Sequence, residues 1–146
     1  MIPPPEMNFE QARELILLHA YKLPSHPRME AGFRGSLMPY RALGGERFQL
    51  NAQNFHEIMM AIKAIAPYLS GESKIDKEII GALWSICHHG RHAIRPDEVW
   101  RSNGLMTSQD ASRLEKWIDI ISYTTLSLLN GSDLNWEQLL KTDQSD

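Results

Sequence analysis

The residues with the clearest potential for chemistry are one cysteine and three histidines in the string CHHGRH, residues 87–92. On a continuous helix, His88 and His92 lie four residues apart on one face, a spacing that metal ligands use. Two ligands do not complete a site, and the obvious donors of a third are His19, His56 and Glu57. The HExxH pattern of zinc hydrolases is missing, because position 89 is a histidine. The string is more typical of a basic helix C-terminus that complements the helix dipole. We therefore expect no metal and no cofactor, and a metal-dependent activity at His88 and His92 is only the third hypothesis.

A second candidate site is a basic segment, residues 22–47, which holds five Lys or Arg and two Glu on a chain of net charge −3. Its arginines are Arg28, Arg34, Arg41 and Arg47, with aromatic residues such as Tyr40 between them. Guanidinium groups form planar hydrogen-bonding forks, so the segment could bind phosphate, RNA or an acidic protein surface. The alternative is that these arginines anchor a long loop to the domain by bonding carbonyls and acids. Anchoring is the more usual role of such arginines, and the sequence is compatible with either role.

Catalytic signals are weak elsewhere. Cys87 lies on the same apolar stripe as Leu83 and Ile86, which is typical of a core thiol rather than a nucleophile. The chain contains no GxxxxGK[ST] loop, no GxGxxG motif and no GxSxG elbow. A binding protein is therefore a better hypothesis than an enzyme.

The stretch from Thr107 to Gly131 predicts the central helix of the fold. Thr107 can cap its first turn together with Asp110, and Gly131 suits its end. Its apolar residues cover most of the circumference, so neighbouring elements must surround it. The residues that we expect to be most buried are Ile118, Ile121 and Leu128.

Similar patterns predict further helices, and the fold class is an all-α, single-domain helical bundle of about five to seven helices over residues 1–146. The predicted helices run from Phe9 to about Lys22, Asn51 to Leu69, Ile75 to His89 or onward to Ile94, about 95–103, and about 134–140. The four tryptophans fall one per helix and should serve as core or interface anchors. Residues 1–7 and 142–146 are expected to be flexible ends.

Residues 23–50 form one long irregular segment with several Gly and Pro. A small hairpin around Gly44-Gly45 is one interpretation, with Pro39 on an edge strand. One or two irregular helical turns around Met29 to Phe33 are the other, and the sequence slightly favours irregular coil.

Composition bounds the class of protein. The chain has 42% hydrophobic and 23% charged residues, which is ordinary for a globular domain. One cysteine excludes an intramolecular disulfide, and the sequence shows neither a signal peptide nor a membrane-spanning run. We therefore expect a cytoplasmic, non-enzymatic protein that binds another protein, a second copy of itself included, in a regulatory, inhibitory or immunity-type role. Its predicted binding residues are those of the two candidate sites, namely Arg28, Arg34, Tyr40, Arg41, Arg47, His88 and His92. Nucleic-acid binding through residues 22–47 is the alternative.

Overall fold

The computed structural model describes residues 7–30, 37, 40–41, 48–70, 74–95 and 106–141. In this part of the chain six helices form a bundle, as the sequence predicts. They are α1 (Phe9–His19), α2 (Pro27–Glu30), α3 (Ala52–Leu69), α4 (Lys77–Ala93), α5 (Ser108–Leu129) and α6 (Trp136–Leu140). None of the described helices is long and apolar enough to cross a membrane.

Helix α5 is one of four long helices around the core rather than its centre, because it packs on α4 and α3 while α1 packs on α3 and α4. Its apolar stripe faces this core. The Thr107 hydroxyl accepts from the Asp110 amide, and the Asp110 carboxylate accepts from the Thr107 amide, so the capping box is complete. The helix ends at Leu129, and Gly131 follows with φ of 76°, a left-handed conformation that glycine adopts without strain. Ile118 and Ile121 are fully buried and Leu128 is 3% exposed, which confirms the predicted core.

Capping residues define the starts of the other long helices. Asn8 caps α1 and Asn51 caps α3, both as predicted. Asp76 caps α4 and also accepts a hydrogen bond from Arg13 Nε of α1 at 2.7 Å. This carboxylate therefore fixes the start of α4 against α1. Helix α3 packs on both α1 and α5, and its Phe55 stacks on Trp117 at 5.2 Å between ring centroids.

Helix α4 differs from the prediction at its start. Ile75 was expected to face inward but is 39% exposed, because Asp76 is the N-cap and Ile75 lies before the first turn. At the other end, the helix continues through Gly90 to Ala93, which resolves the open choice of its end point. Gly90 is buried against Ile118, so an absent side chain there permits close packing of α4 on α5.

The irregular segment contains a short antiparallel pairing as well as α2. Strand β1 (Tyr40–Arg41) pairs with β2 (Phe48–Gln49), and Tyr40 lies opposite Gln49. This is the register that a hairpin around positions 44 and 45 requires, so the preference for irregular coil was wrong at these four residues. The Gly44-Gly45 turn itself lies outside the described residues. The predicted helix at about 95–103 lies outside them almost entirely, and so do the predicted flexible ends apart from Met7.

Candidate functional site

A groove between α4 and α5 is the candidate site. The two helices run antiparallel, since Arg91 lies near Asp119 while residues earlier in α4 meet residues later in α5. The groove has a volume of about 210 Å³. Its apolar lining is formed by Ile80, Leu83, Trp84, Cys87, Leu126 and Leu129. A concave apolar surface with a few polar groups at one end is the usual form of a binding site.

Large apolar side chains are exposed on α4 and α5, and three of them line this groove. Seven large apolar side chains are exposed in the described part of the chain, and four of them belong to α4 or α5. These four are Trp84 at 66%, Tyr123 at 63%, Leu126 at 58% and Leu129 at 37% exposed. Contiguous exposed apolar surface marks interaction sites on soluble proteins. We call this surface, with Gly81, His88, Arg91, Asp119 and Ser122, the α4/α5 face.

Sequence reasoning missed most of the α4/α5 face. Trp84 was expected as a core or interface anchor without a choice between the two, and the exposed positions of Tyr123 and Leu126 were not considered. A signal was available in α5, where Tyr123 and Leu126 lie three residues apart on the side opposite Ile121. Those two residues stand outside the apolar stripe that the core needs.

The polar end of the groove joins four side chains. Arg91 Nη2 donates a hydrogen bond to Ser122 Oγ at 3.0 Å and lies 3.5 Å from Asp119 Oδ1. Ser122 Oγ in turn donates to Cys87 Sγ at 3.3 Å. Burial raises the pKa of the Cys87 thiol and outweighs the hydrogen bond from Ser122 and the nearby Arg91, which lower it. The thiol therefore stays protonated at neutral pH, which fits its predicted role as a packing residue.

The three histidines of the CHHGRH string are exposed on α4 and do not line the groove. His88 stacks on Trp84 at 4.6 Å between ring centroids, and His89 meets the edge of His88 at 5.5 Å. Because α4 is continuous, His88 and His92 do share one helical face. The described residues nevertheless contain no group of three His, Cys, Asp or Glu side chains able to hold a metal. His88 is thus placed to extend the exposed aromatic surface of Trp84.

Arg28, a candidate binding residue, has the geometry of an anchor. Its Nη1 donates to Glu57 Oε1 at 2.7 Å, and the same oxygen lies 2.7 Å from Nε2 of the fully buried His19. Burial alone would raise the pKa of Glu57. Hydrogen bonds from His19 and Arg28 lower this pKa by a larger amount, so it lies below its ordinary value. A carboxylate of α3 therefore holds both the end of α1 and the short α2.

No described contact joins the remaining candidate residues of the basic segment to the α4/α5 face. Tyr40 and Arg41 form β1, whose backbone pairs with that of β2. Arg34 and Arg47 lie outside the described residues. Their role in binding stays a prediction.

No protein-family model, curated protein or solved structure matches this chain in comparisons of its sequence and fold.

Proposed function

We propose that this chain is a non-enzymatic protein that works by associating with another protein chain through the α4/α5 face. The observation that carries the proposal is the exposure of Trp84, Leu126 and Leu129 along one apolar groove, with the exposed Tyr123 about one turn from Leu126 on α5. Nothing in the described part of the chain covers these side chains, and exposing large apolar side chains to water is unfavourable.

The area of the face suits a protein partner better than a small molecule. A fully buried aromatic side chain covers about 150–250 Å², so Trp84 and Tyr123 leave roughly 200–320 Å² uncovered. A standard interface buries about 800 Å² per partner. The two aromatic residues alone would supply a quarter to two fifths of that area, and the leucines and polar rim would add to it. Tryptophan and tyrosine are also the residues that most often dominate binding energy at interfaces.

A matched set of variants tests this function. Trp84→Ser and Leu126→Ser remove apolar surface from the α4/α5 face, while Tyr68→Ser removes a similarly exposed aromatic from α3. Each tagged protein is used to capture binding proteins from native lysate, and a photo-reactive amino acid at position 126 identifies what contacts the face. We expect Trp84→Ser and Leu126→Ser to abolish capture and Tyr68→Ser to preserve it.

Two outcomes would contradict the proposal. Capture that is unaffected by both face variants would place the binding surface elsewhere, with Arg34 and Arg41 as the next residues to test. Recovery of nucleic acid instead of protein, with an elevated 260/280 absorbance ratio that falls in high salt, would favour the alternative function.

A further inference from the structure

We propose that the chain bound to the α4/α5 face is a second copy of this protein. The two copies would be related by a two-fold axis parallel to the helices, with α4 of each copy lying on α5 of the other. This inference rests on the proposed function and specifies its partner.

The register between α4 and α5 supports this symmetry. Arg91 lies beside Asp119, and seven residues back along α4 and seven forward along α5 lead to Trp84 and Leu126. These two residues line the same groove, so the antiparallel helices stay in register over that distance. Residues at equal heights on the two helices are therefore known: Trp84 with Leu126, and Arg91 with Asp119.

A two-fold axis parallel to the helices preserves these heights and exchanges α4 for α5. Trp84 of one copy then meets Leu126 of the second copy, and Arg91 meets the second copy's Asp119. Each of the four helices gains an antiparallel neighbour on either side, which is the arrangement of an up-down four-helix bundle. An axis perpendicular to the helices at the height of Trp84 would instead bring Lys77 to the height of the second copy's Arg91, with like charges facing each other.

The charges of the face are balanced, and balance favours a copy of the same face. Arg91 contributes positive charge and Asp119 contributes negative charge to the face. A strongly acidic or basic partner calls for a rim of one sign, since complementary potentials select such partners. A two-fold interface is self-complementary, so a charged group on it is best met by a group of opposite sign on the same surface.

Gly81 is an independent observation that points to close approach of another chain. It lies inside α4, one turn before Trp84, and a Cβ built there would meet nothing within 4 Å. Glycine inside a helix is less stable than alanine by about 1 kcal/mol, and packing within this chain does not require it. Position 81 points away from the core residues Leu83 and Ile86, on the side that the second copy's α5 would cover. A glycine there lets that helix pack closely beside Trp84.

Sedimentation velocity of the full chain over a concentration series tests the dimer. We expect the species to approach twice the 16.7 kDa chain mass as concentration rises. Gly81→Leu should raise the dissociation constant at least about ten-fold, the size of effect expected for a central interface position. The added side chain enters open space in the monomer, so the variant should fold, which circular dichroism of the same sample checks. Tyr68→Ser, on α3, should leave the dissociation constant unchanged.

A charge exchange tests the symmetry. Arg91→Asp should weaken the dimer, because it places a carboxylate opposite the carboxylate of the second copy's Asp119. Asp119→Arg should weaken it for the matching reason, since two guanidinium groups would then face each other. An equimolar mixture of the two single variants restores opposite charges between copies but not within them, and mixed dimers should recover much of the association. Failure of the mixture to recover would overturn the parallel two-fold arrangement.

The results separate this inference from the proposed function. A protein that stays monomeric at several hundred micromolar overturns the second copy as partner, and so does a dimer that Gly81→Leu leaves intact. If a monomeric protein still captures a different protein in a manner lost in Trp84→Ser, the proposed function stands without the dimer. If Trp84→Ser and Leu126→Ser affect neither association nor capture, both proposals fail.

Discussion

The two described glycines inside α4 allow the same substitution to be made in opposite environments. At Gly81 a new Cβ meets nothing within 4 Å, whereas at Gly90 it would lie 2.6 Å from Ile118 Cδ1 and 3.0 Å from its Cγ1. Alanine is favoured over glycine in a helix interior by roughly 0.5–1 kcal/mol at either position. Only the surroundings differ, so the pair measures packing with helix propensity held constant.

We expect Gly81→Ala to raise the free energy of unfolding by about 0.5–1 kcal/mol. For a domain of about 150 residues, each kcal/mol of added stability raises Tm by about 2–4 °C. At Gly90 the same gain is opposed by overpacking of the fully buried Ile118, which typically costs about 1–3 kcal/mol. We therefore expect Gly90→Ala to be neutral at best and otherwise destabilising.

Urea denaturation of the two variants and the parent protein measures both effects. The experiment is done at two protein concentrations, because self-association makes apparent stability depend on concentration. The comparison uses the dilute limit, where only the monomer contributes. A loss of stability in Gly81→Ala at that limit, or a gain in Gly90→Ala as large as that of Gly81→Ala, would refute the contrast drawn between these positions.

Three further predictions concern the core and the basic segment. Glu57→Gln should lower the free energy of unfolding at pH 7 by about 1.5–3 kcal/mol, the typical worth of a hydrogen bond to a charged group. Because the pKa of Glu57 is lowered in the folded state, this deficit should shrink as pH falls below 4.5, and a deficit that stays constant to pH 2 would contradict its electrostatic origin. Ile121→Ala should cost about 2–5 kcal/mol by denaturant unfolding, and a cost under 1 kcal/mol would contradict its central place in the core. If Arg34 and Arg41 recognise a partner, Arg34→Ala and Arg41→Ala should lose capture with unchanged melting, whereas lower melting with intact capture would make them anchors.

The helices could be predicted because their signals are local. Asn8, Asn51 and Thr107 cap their helices in the structure as the sequence indicates, since a cap depends on residues three positions away. The core positions Ile118 and Ile121 follow from helical periodicity for the same reason. The end of α4 could not be decided in this way. Gly90 breaks or continues a helix according to what packs against it, and Ile118 is twenty-eight residues further along the chain.

The candidate site could not be predicted because exposure depends on which neighbours are present. Trp84 and Trp117 have similar apolar surroundings in the sequence, yet Trp117 is fully buried and Trp84 is two thirds exposed. Helix α3 supplies Phe55 to cover Trp117, while nothing described covers α4 on the side of Trp84 beyond His88. Periodicity shows which side chains share a helical face but not whether another helix lies over that face.

Arg28 and Trp84 together indicate how the two candidate surfaces divide their roles. Arg28 was a candidate for recognition, but its bond to Glu57 ties α2 to α3. Trp84 was expected in a core or at an interface, and its exposure beside an apolar groove is consistent with the interface. Substitution of Arg28 removes a bond between α2 and α3 and should therefore lower the stability of the isolated chain. Substitution of the exposed Trp84 should change that stability little. Trp84→Ser should therefore separate association from folding more cleanly than any substitution at Arg28.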